Sequence, residues 1–214
     1  MFERQFLHYL LLAGLLAGVG LAVALDPGML VGEFIGLTTG AWLTLAILVP
    51  IVHQGYVWFV WRAELHHRLI SRWLGAGRGF ALYAIGFMIL LPGRVVTLVL
   101  LALSNRGTLG IDPVVAYVLA ALLAVPMLYL MHSVVRYFGL RRALGADHFS
   151  AAYRHMPLVR RGIYRYTSNG MYLFGFLVLW IVALLFRSQA ALLAAAFNHT
   201  YIWVHHYCTE LPDM

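Results

Sequence analysis

Long apolar runs separated by short polar clusters dominate this chain. Six runs stand out, at 6–25, 33–61, 79–103, 113–135, 170–186 and 189–206. Each approaches or exceeds the roughly 20 residues a helix needs to cross the hydrocarbon core of a bilayer. Backbone groups in lipid must be satisfied within the chain, so these runs are expected to be helices and not open strands. Between them lie Asp26-Pro27-Gly28, an Arg/His segment at 62–78, a polar stretch at 104–112 and a long basic segment at 136–169. The last two runs share a tight connection at Arg187-Ser188-Gln189, which predicts a helical hairpin. The expected fold is an all-α, polytopic integral membrane bundle of about six transmembrane helices. It reads as a single membrane domain: four N-terminal spans over 1–135, a cytosolic basic segment over 136–169, and the hairpin and tail over 170–214.

Composition supports this. The chain is 63% hydrophobic and 11% charged, against about 25% charged in soluble domains. A polar surface cannot be assembled from it, so the outside faces lipid and any site lies within the bundle or at its rim. The net charge is +7, carried by arginine with no lysine. In a membrane protein such charge serves orientation, and no nucleic-acid partner is expected. The single cysteine, Cys208, excludes an internal disulfide and a cysteine-based zinc site. No cleavable signal peptide is expected after the first run.

Arginine placement sets a topology by the positive-inside rule. With Arg4, the 62–78 segment and the 136–169 segment on one side, only Arg106 and Arg187 fall in outer loops. Six crossings then put both termini in the cytosol. Trp58, Trp61, Trp73 and Tyr137 stand near the inner ends, as an aromatic belt would. The arginine-rich composition points to a bacterial inner membrane.

Polar residues inside the spans are the exceptions to explain. Arg94 follows Pro92 and Gly93 in the third run, where a charge costs several kcal/mol unless it faces a partner or a cavity. It suits either an internal pair or an anion such as a lipid phosphate. His53 and Gln54 follow Pro50, and His132 follows Pro126; helix-to-helix hydrogen bonds are the expected use. In the last run His199, Trp203, His206 and Glu210 fall on one helical stripe, at i, i+4, i+7 and i+11. That stripe should face the bundle or its mouth. No HExxH or Asp-rich pattern accompanies it, and no metal is expected.

The basic segment carries Leu140-Arg141-Arg142-Ala143-Leu144-Gly145, expected to continue the fourth helix. Later come Gly162-Ile163-Tyr164-Arg165-Tyr166 and Asn169-Gly170-Met171-Tyr172, then Gly175, just before and within an apolar helix. Ser168 or Asn169 is expected to cap that helix, whose free N–H groups suit a carboxylate. An interfacial linker whose arginines reach anionic headgroups fits the same residues.

These pieces, with Thr209-Glu210 at the end of the hairpin, resemble the isoprenylcysteine carboxyl methyltransferase and phospholipid methyltransferase superfamily, over about the last 80 residues. Ser168–Tyr172 and the ending Tyr207–Met214 look most like its phosphatidylethanolamine N-methyltransferase branch. The likeness implies an S-adenosylmethionine pocket facing the cytosol beneath the basic segment, with a lipid entering between helices. Tyr164, Arg165, Asn169, Tyr172, Gly175 and Glu210 would bind the cofactor. Two features depart from the family pattern. Its Arg-His-Pro core is replaced by Ser168-Asn169-Gly170, so Arg165 would supply the charge, and the second glutamate of its usual pair is missing.

Methyl transfer from a sulfonium needs alignment and exclusion of water more than a covalent nucleophile. An amine acceptor must shed a proton, and His199, His206 and Glu210 are candidate bases. Arg94 and Trp203 are expected at the lipid substrate. A prenylcysteine carboxylate, which needs no base, is the alternative acceptor. A nicotinamide-binding sterol reductase, which shares a related hairpin, and a non-catalytic carrier or scaffold are the readings from other classes. The sequence does not set the oligomeric state.

Overall fold

The computed structural model describes residues 2–213. It is a helical bundle in which α1 (Gln5–Leu25), α2 (Thr39–His67), α3 (Ser71–Ser104) and α4 (Pro113–Ser133) are long. These four are long and apolar enough to cross a membrane, α4 together with the π turn Val134–Phe138 that extends it. Short helices α5 (Leu140–Ala143) and α6 (Ala151–Arg154) follow. The hairpin comprises α7 (Gly170–Phe174), α8 (Leu177–Phe186) and α9 (Gln189–His205), then a π turn over His206–Glu210 and α10 (Leu211–Asp213). The expected all-α bundle with a C-terminal hairpin is thus observed, but with four helices of spanning length in place of the six expected, because the hairpin helices α8 and α9 have only 10 and 17 residues.

Four local expectations are corrected. The second run does not begin as helix at Glu33: Glu33–Phe34 and Leu37–Thr38 pair as a two-stranded hairpin. Ile35 and Gly36 turn it with φ of 45° and 75°, a left-handed pair that a helix cannot hold. The Thr38 hydroxyl then accepts from Ala41 N at 3.3 Å and starts α2. The Arg/His segment 62–78 is largely helix rather than loop, broken by a short turn between α2 and α3 and again at Gly75, whose φ of 75° and ψ of 156° kink the start of α3. Arg68 adopts φ 49° in the turn, and the Glu64 carboxylate accepts from Ile70 N (3.0 Å) and Ser71 N (3.2 Å). Arg62 and Glu64 extend α2 as buried charges, each satisfied by hydrogen bonds within the bundle. The fourth helix does not run on through 140–145, because the π turn and Gly139 at φ 91° break it. Trp61 belongs to no belt: it is 8% exposed and stacks on His148 with centroids 4.2 Å apart.

The core runs between α2, α3, α8 and α9 and is dense in alanine on α9 (Ala190, Ala191, Ala194 and Ala195). Small side chains let helices approach closely where lipid supplies no hydrophobic drive between them. Pro50 of α2 has no amide hydrogen, so the Ala46 carbonyl one turn back lacks its helical donor. Asn198 Nδ2 of α9 supplies it at 3.2 Å. At one end of the bundle Arg62, 1% exposed, gathers the chain ends. It pairs with Asp213 Oδ2 at 3.1 Å and donates to the carbonyls of Glu3, Cys208 and Thr209.

Candidate active site

At that same end the predicted stripe meets α7. Tyr172 donates its hydroxyl to Glu210 Oε2. Its ring lies 4.6 Å from His206 and 5.7 Å from Trp203. His206 Nδ1 is 3.4 Å from Glu210 Oε2, and His205 Nε2 is 3.7 Å from Oε1. Glu210 itself is buried. Among the described residues no arginine pairs with it. The structure therefore joins Trp203, His206 and Glu210, as the helical spacing predicted, to Tyr172 of α7, and adds His205.

His199 stands on the stripe, but both its ring nitrogens are engaged. Trp180 Nε1 donates to Nδ1 at 3.0 Å. This places the proton on Nε2, which donates to the Tyr172 carbonyl at 2.9 Å. His199 thus ties α8 and α7 to α9. Gly175 lies between α7 and α8; a β-carbon there would sit 2.6 Å from the Met171 carbonyl oxygen and 3.5 Å from Leu130 of α4. Its bareness serves packing.

The segment 139–169 docks across this end. Gly145 adopts φ 83°, and a β-carbon there would lie 2.5 Å from the Trp61 ring. Gly162, at φ 60°, rests on Ser133, whose hydroxyl accepts from Ile163 N at 3.0 Å. Tyr164 stacks on Phe138 at 5.0 Å. Its buried hydroxyl has no hydrogen-bond partner. Burial pushes that hydroxyl up to about 12, against the pull of Arg142. Arg165 is exposed on the same turn, and among the described residues no hydrogen bond or ion pair links it to Glu210. Asn169 precedes α7 without a side-chain cap; the local bond is instead Thr167 Oγ1 accepting from Asn169 N at 3.1 Å. The expected cap by Ser168 or Asn169 is therefore not formed.

Arg94 is apart from this cluster and 2% exposed. It donates to the Pro50 carbonyl at 3.3 Å and lies 5.5 Å over the Phe176 ring. Among the described residues no carboxylate pairs with it, and none group as ligands for a metal ion.

Sequence reasoning missed His205, Trp61 and Tyr83. Trp61 Nε1, the Tyr83 hydroxyl and both His205 nitrogens are buried without a hydrogen-bond partner. The signal available was the doublet His205-His206, of which helical periodicity selects only one member.

Residues 115–214 match the family model described as phospholipid methyltransferase. The likeness read from the sequence is borne out over that stretch, which begins one helix earlier than the motifs alone reached. No curated protein and no solved structure matches the chain.

Proposed function

We propose that this integral membrane protein is an S-adenosylmethionine-dependent methyltransferase that N-methylates a phospholipid of the phosphatidylethanolamine type. In this reading the Tyr172–His206–Glu210 end faces the cytosol and segment 139–169 caps it. One observation carries the reading: a buried carboxylate, Glu210, held by a tyrosine and flanked by histidines, with no arginine to neutralise it. It lies within the stretch that matches the family. An uncompensated buried carboxylate is costly unless a cation comes to it, and both reactants of such a transfer are cations.

The cofactor fits the donor set. Its sulfonium suits Glu210 and the faces of Tyr172 and Trp203. Its polar edges suit the unpartnered Tyr164 hydroxyl. When bound it supplies an activated methyl group. The protein's own residues do the rest. Glu210 draws the ammonium headgroup in, and the Glu210–His206 pair takes the proton that the amine must lose. Tyr172 and Trp203 exclude water from the line of attack. His199, with neither nitrogen free, positions Tyr172 instead of acting as a base. Asn169 and Arg165 are assigned no contact with the reactants. Arg94, held at the Pro50 carbonyl, is assigned no substrate contact.

A carboxylate acceptor needs no base and would be repelled by Glu210, which favours the amine. The test supplies labelled methyl donor with phosphatidylethanolamine or a prenylated cysteine to wild type and Glu210→Gln. Methylation of the amine lipid is expected, falling by roughly a hundredfold or more in the variant. Methylation of the prenylcysteine alone, or a fully active variant, refutes the assignment.

A further inference from the structure

The end of α9 departs from α geometry where the candidate site lies. In a regular α-helix, residues five apart stand roughly 140° around the axis. His205 would then face away from Glu210, and only His206 could reach it. The π turn over His206–Glu210 changes this. Its wider i→i+5 repeat brings residue 205 over residue 210. The carboxylate is accordingly met from both sides, by His206 Nδ1 at 3.4 Å from Oε2 and by His205 Nε2 at 3.7 Å from Oε1. π turns recur at functional sites because they re-aim side chains at the cost of a regular hydrogen bond. Here Arg62 takes up carbonyls of that turn, at Cys208 and Thr209.

His205 is 1% exposed, and neither ring nitrogen has a hydrogen-bond partner. An imidazole so placed must orient toward whatever acceptor is near. The groups facing it are His8 of α1, His53 of α2, Arg94 of α3, His148 of segment 139–169, and Glu210. The His8 and Trp61 rings lie 6.5 Å and 6.0 Å away. Of these groups only Glu210 is a carboxylate. Nε2 is the ring nitrogen nearest the carboxylate and the one through which His205 can present a proton to it.

We infer that His205 is a positioning residue for methyl transfer: its Nε2–H, turned to Glu210 Oε1 by the π turn, completes with Tyr172 and His206 a three-sided collar that fixes the carboxylate toward the cationic reactants. This rests on the methyltransferase reading above. In the step served, an N–H bond of the lipid ammonium breaks and its proton passes to the Glu210–His206 pair. The freed nitrogen lone pair forms the N–CH3 bond. The C–S bond of a sulfonium methyl donor breaks with its electron pair returning to sulfur, leaving a neutral thioether. His205 exchanges no proton. It sets where Glu210 stands, and hydrogen bonds that are long without ligand tighten when the reacting cation arrives.

Two variants of the full chain in lipid nanodiscs test this. His205→Leu keeps bulk and removes the donor; His205→Gln keeps a neutral N–H donor. A displaced catalytic carboxylate costs roughly ten- to a hundredfold. The Leu variant is expected to lose that much kcat toward phosphatidylethanolamine, with lipid KM and thermal midpoint near wild type. The Gln variant should recover most of the rate. A Leu variant as fast as wild type, or a Gln variant as slow as Leu, overturns the inference. An arm independent of turnover separates its failure from that of the functional reading. In histidine-labelled protein, 15N–1H spectra should show His205 protonated at Nε2, with a proton resonance that moves in Glu210→Gln. A ring protonated at Nδ1, or one indifferent to Glu210, overturns the inference even if the enzyme is active. The expected signal in a protein that methylates nothing retains the contact and overturns its catalytic use.

Discussion

Asn198 and Pro50 offer a sharp test of how this bundle is held together. Pro50 removes the amide hydrogen that would serve the Ala46 carbonyl, and Asn198 Nδ2 replaces it from α9 at 3.2 Å. The other Nδ2 contact, to Ala194 O at 2.9 Å, is to a carbonyl already served by the helix. The substitution Asn198→Leu keeps the number of side-chain heavy atoms and leaves Ala46 O buried without a donor. Such a loss costs about 1–3 kcal/mol in general, while interhelical bonds in membrane proteins average about 0.6 and reach about 1.7 kcal/mol. Asn198 Oδ1 is itself buried without a partner, so its removal relieves a desolvated acceptor. The net loss should therefore lie near 1 kcal/mol. Pro50→Ala restores the missing N–H, and in that background the same Asn198 substitution should cost little. The assay is reversible unfolding of the four proteins of the cycle in mixed detergent micelles. A coupling energy of about 1 kcal/mol is expected. Strictly additive losses would show that the Asn198 bond does not compensate the proline.

Three further outcomes follow from particular contacts. Arg62→Met strands the buried Asp213 carboxylate and three carbonyls, and should cost about 3–5 kcal/mol; a thermal midpoint close to wild type would refute the clamp. Gly145→Ala places a β-carbon 2.5 Å from Trp61 at φ 83°, a strain of about 1–2 kcal/mol. Tryptic cleavage at Arg154 and Arg160 should then accelerate roughly five- to thirtyfold, and an unchanged rate would refute docking through Trp61. Burial alone would raise the Asp147 carboxyl, but His148, 3.3 Å away, a backbone N–H and Arg142 together hold it below its usual 3.8. A lowered folded value means that its stabilisation is complete above pH 3.8 and fades as pH falls through that lower value. Asp147→Asn should flatten this acid limb of the stability curve, and an identical limb in both proteins would refute it.

The sequence alone determined the four long spans, the hairpin and the stripe His199–Trp203–His206–Glu210, while its count of six crossings gave way to four helices of spanning length. Hydropathy and helical period are local properties, and the bilayer leaves a chain of this composition no other solvent. Lipid also forbids open strand edges, so apolar runs could be read directly as helices. The Gly-x-Tyr and Thr-Glu pieces were legible because they are contiguous in the chain. What the tertiary structure decided are the partners. The donor for Ala46 O comes from 152 residues away. Trp61 left the expected belt because His148 and Gly145 of a distant segment cover it. His199 lost its candidacy as a base because Trp180 and the Tyr172 carbonyl occupy both its nitrogens. His205 stands 3.7 Å from Glu210 because a π turn brings residue 205 over residue 210. Polar groups in a bundle are satisfied across helices, by whichever neighbour packing brings within hydrogen-bond reach. A one-dimensional pattern shows that such a group must find a partner, but only the folded chain shows which.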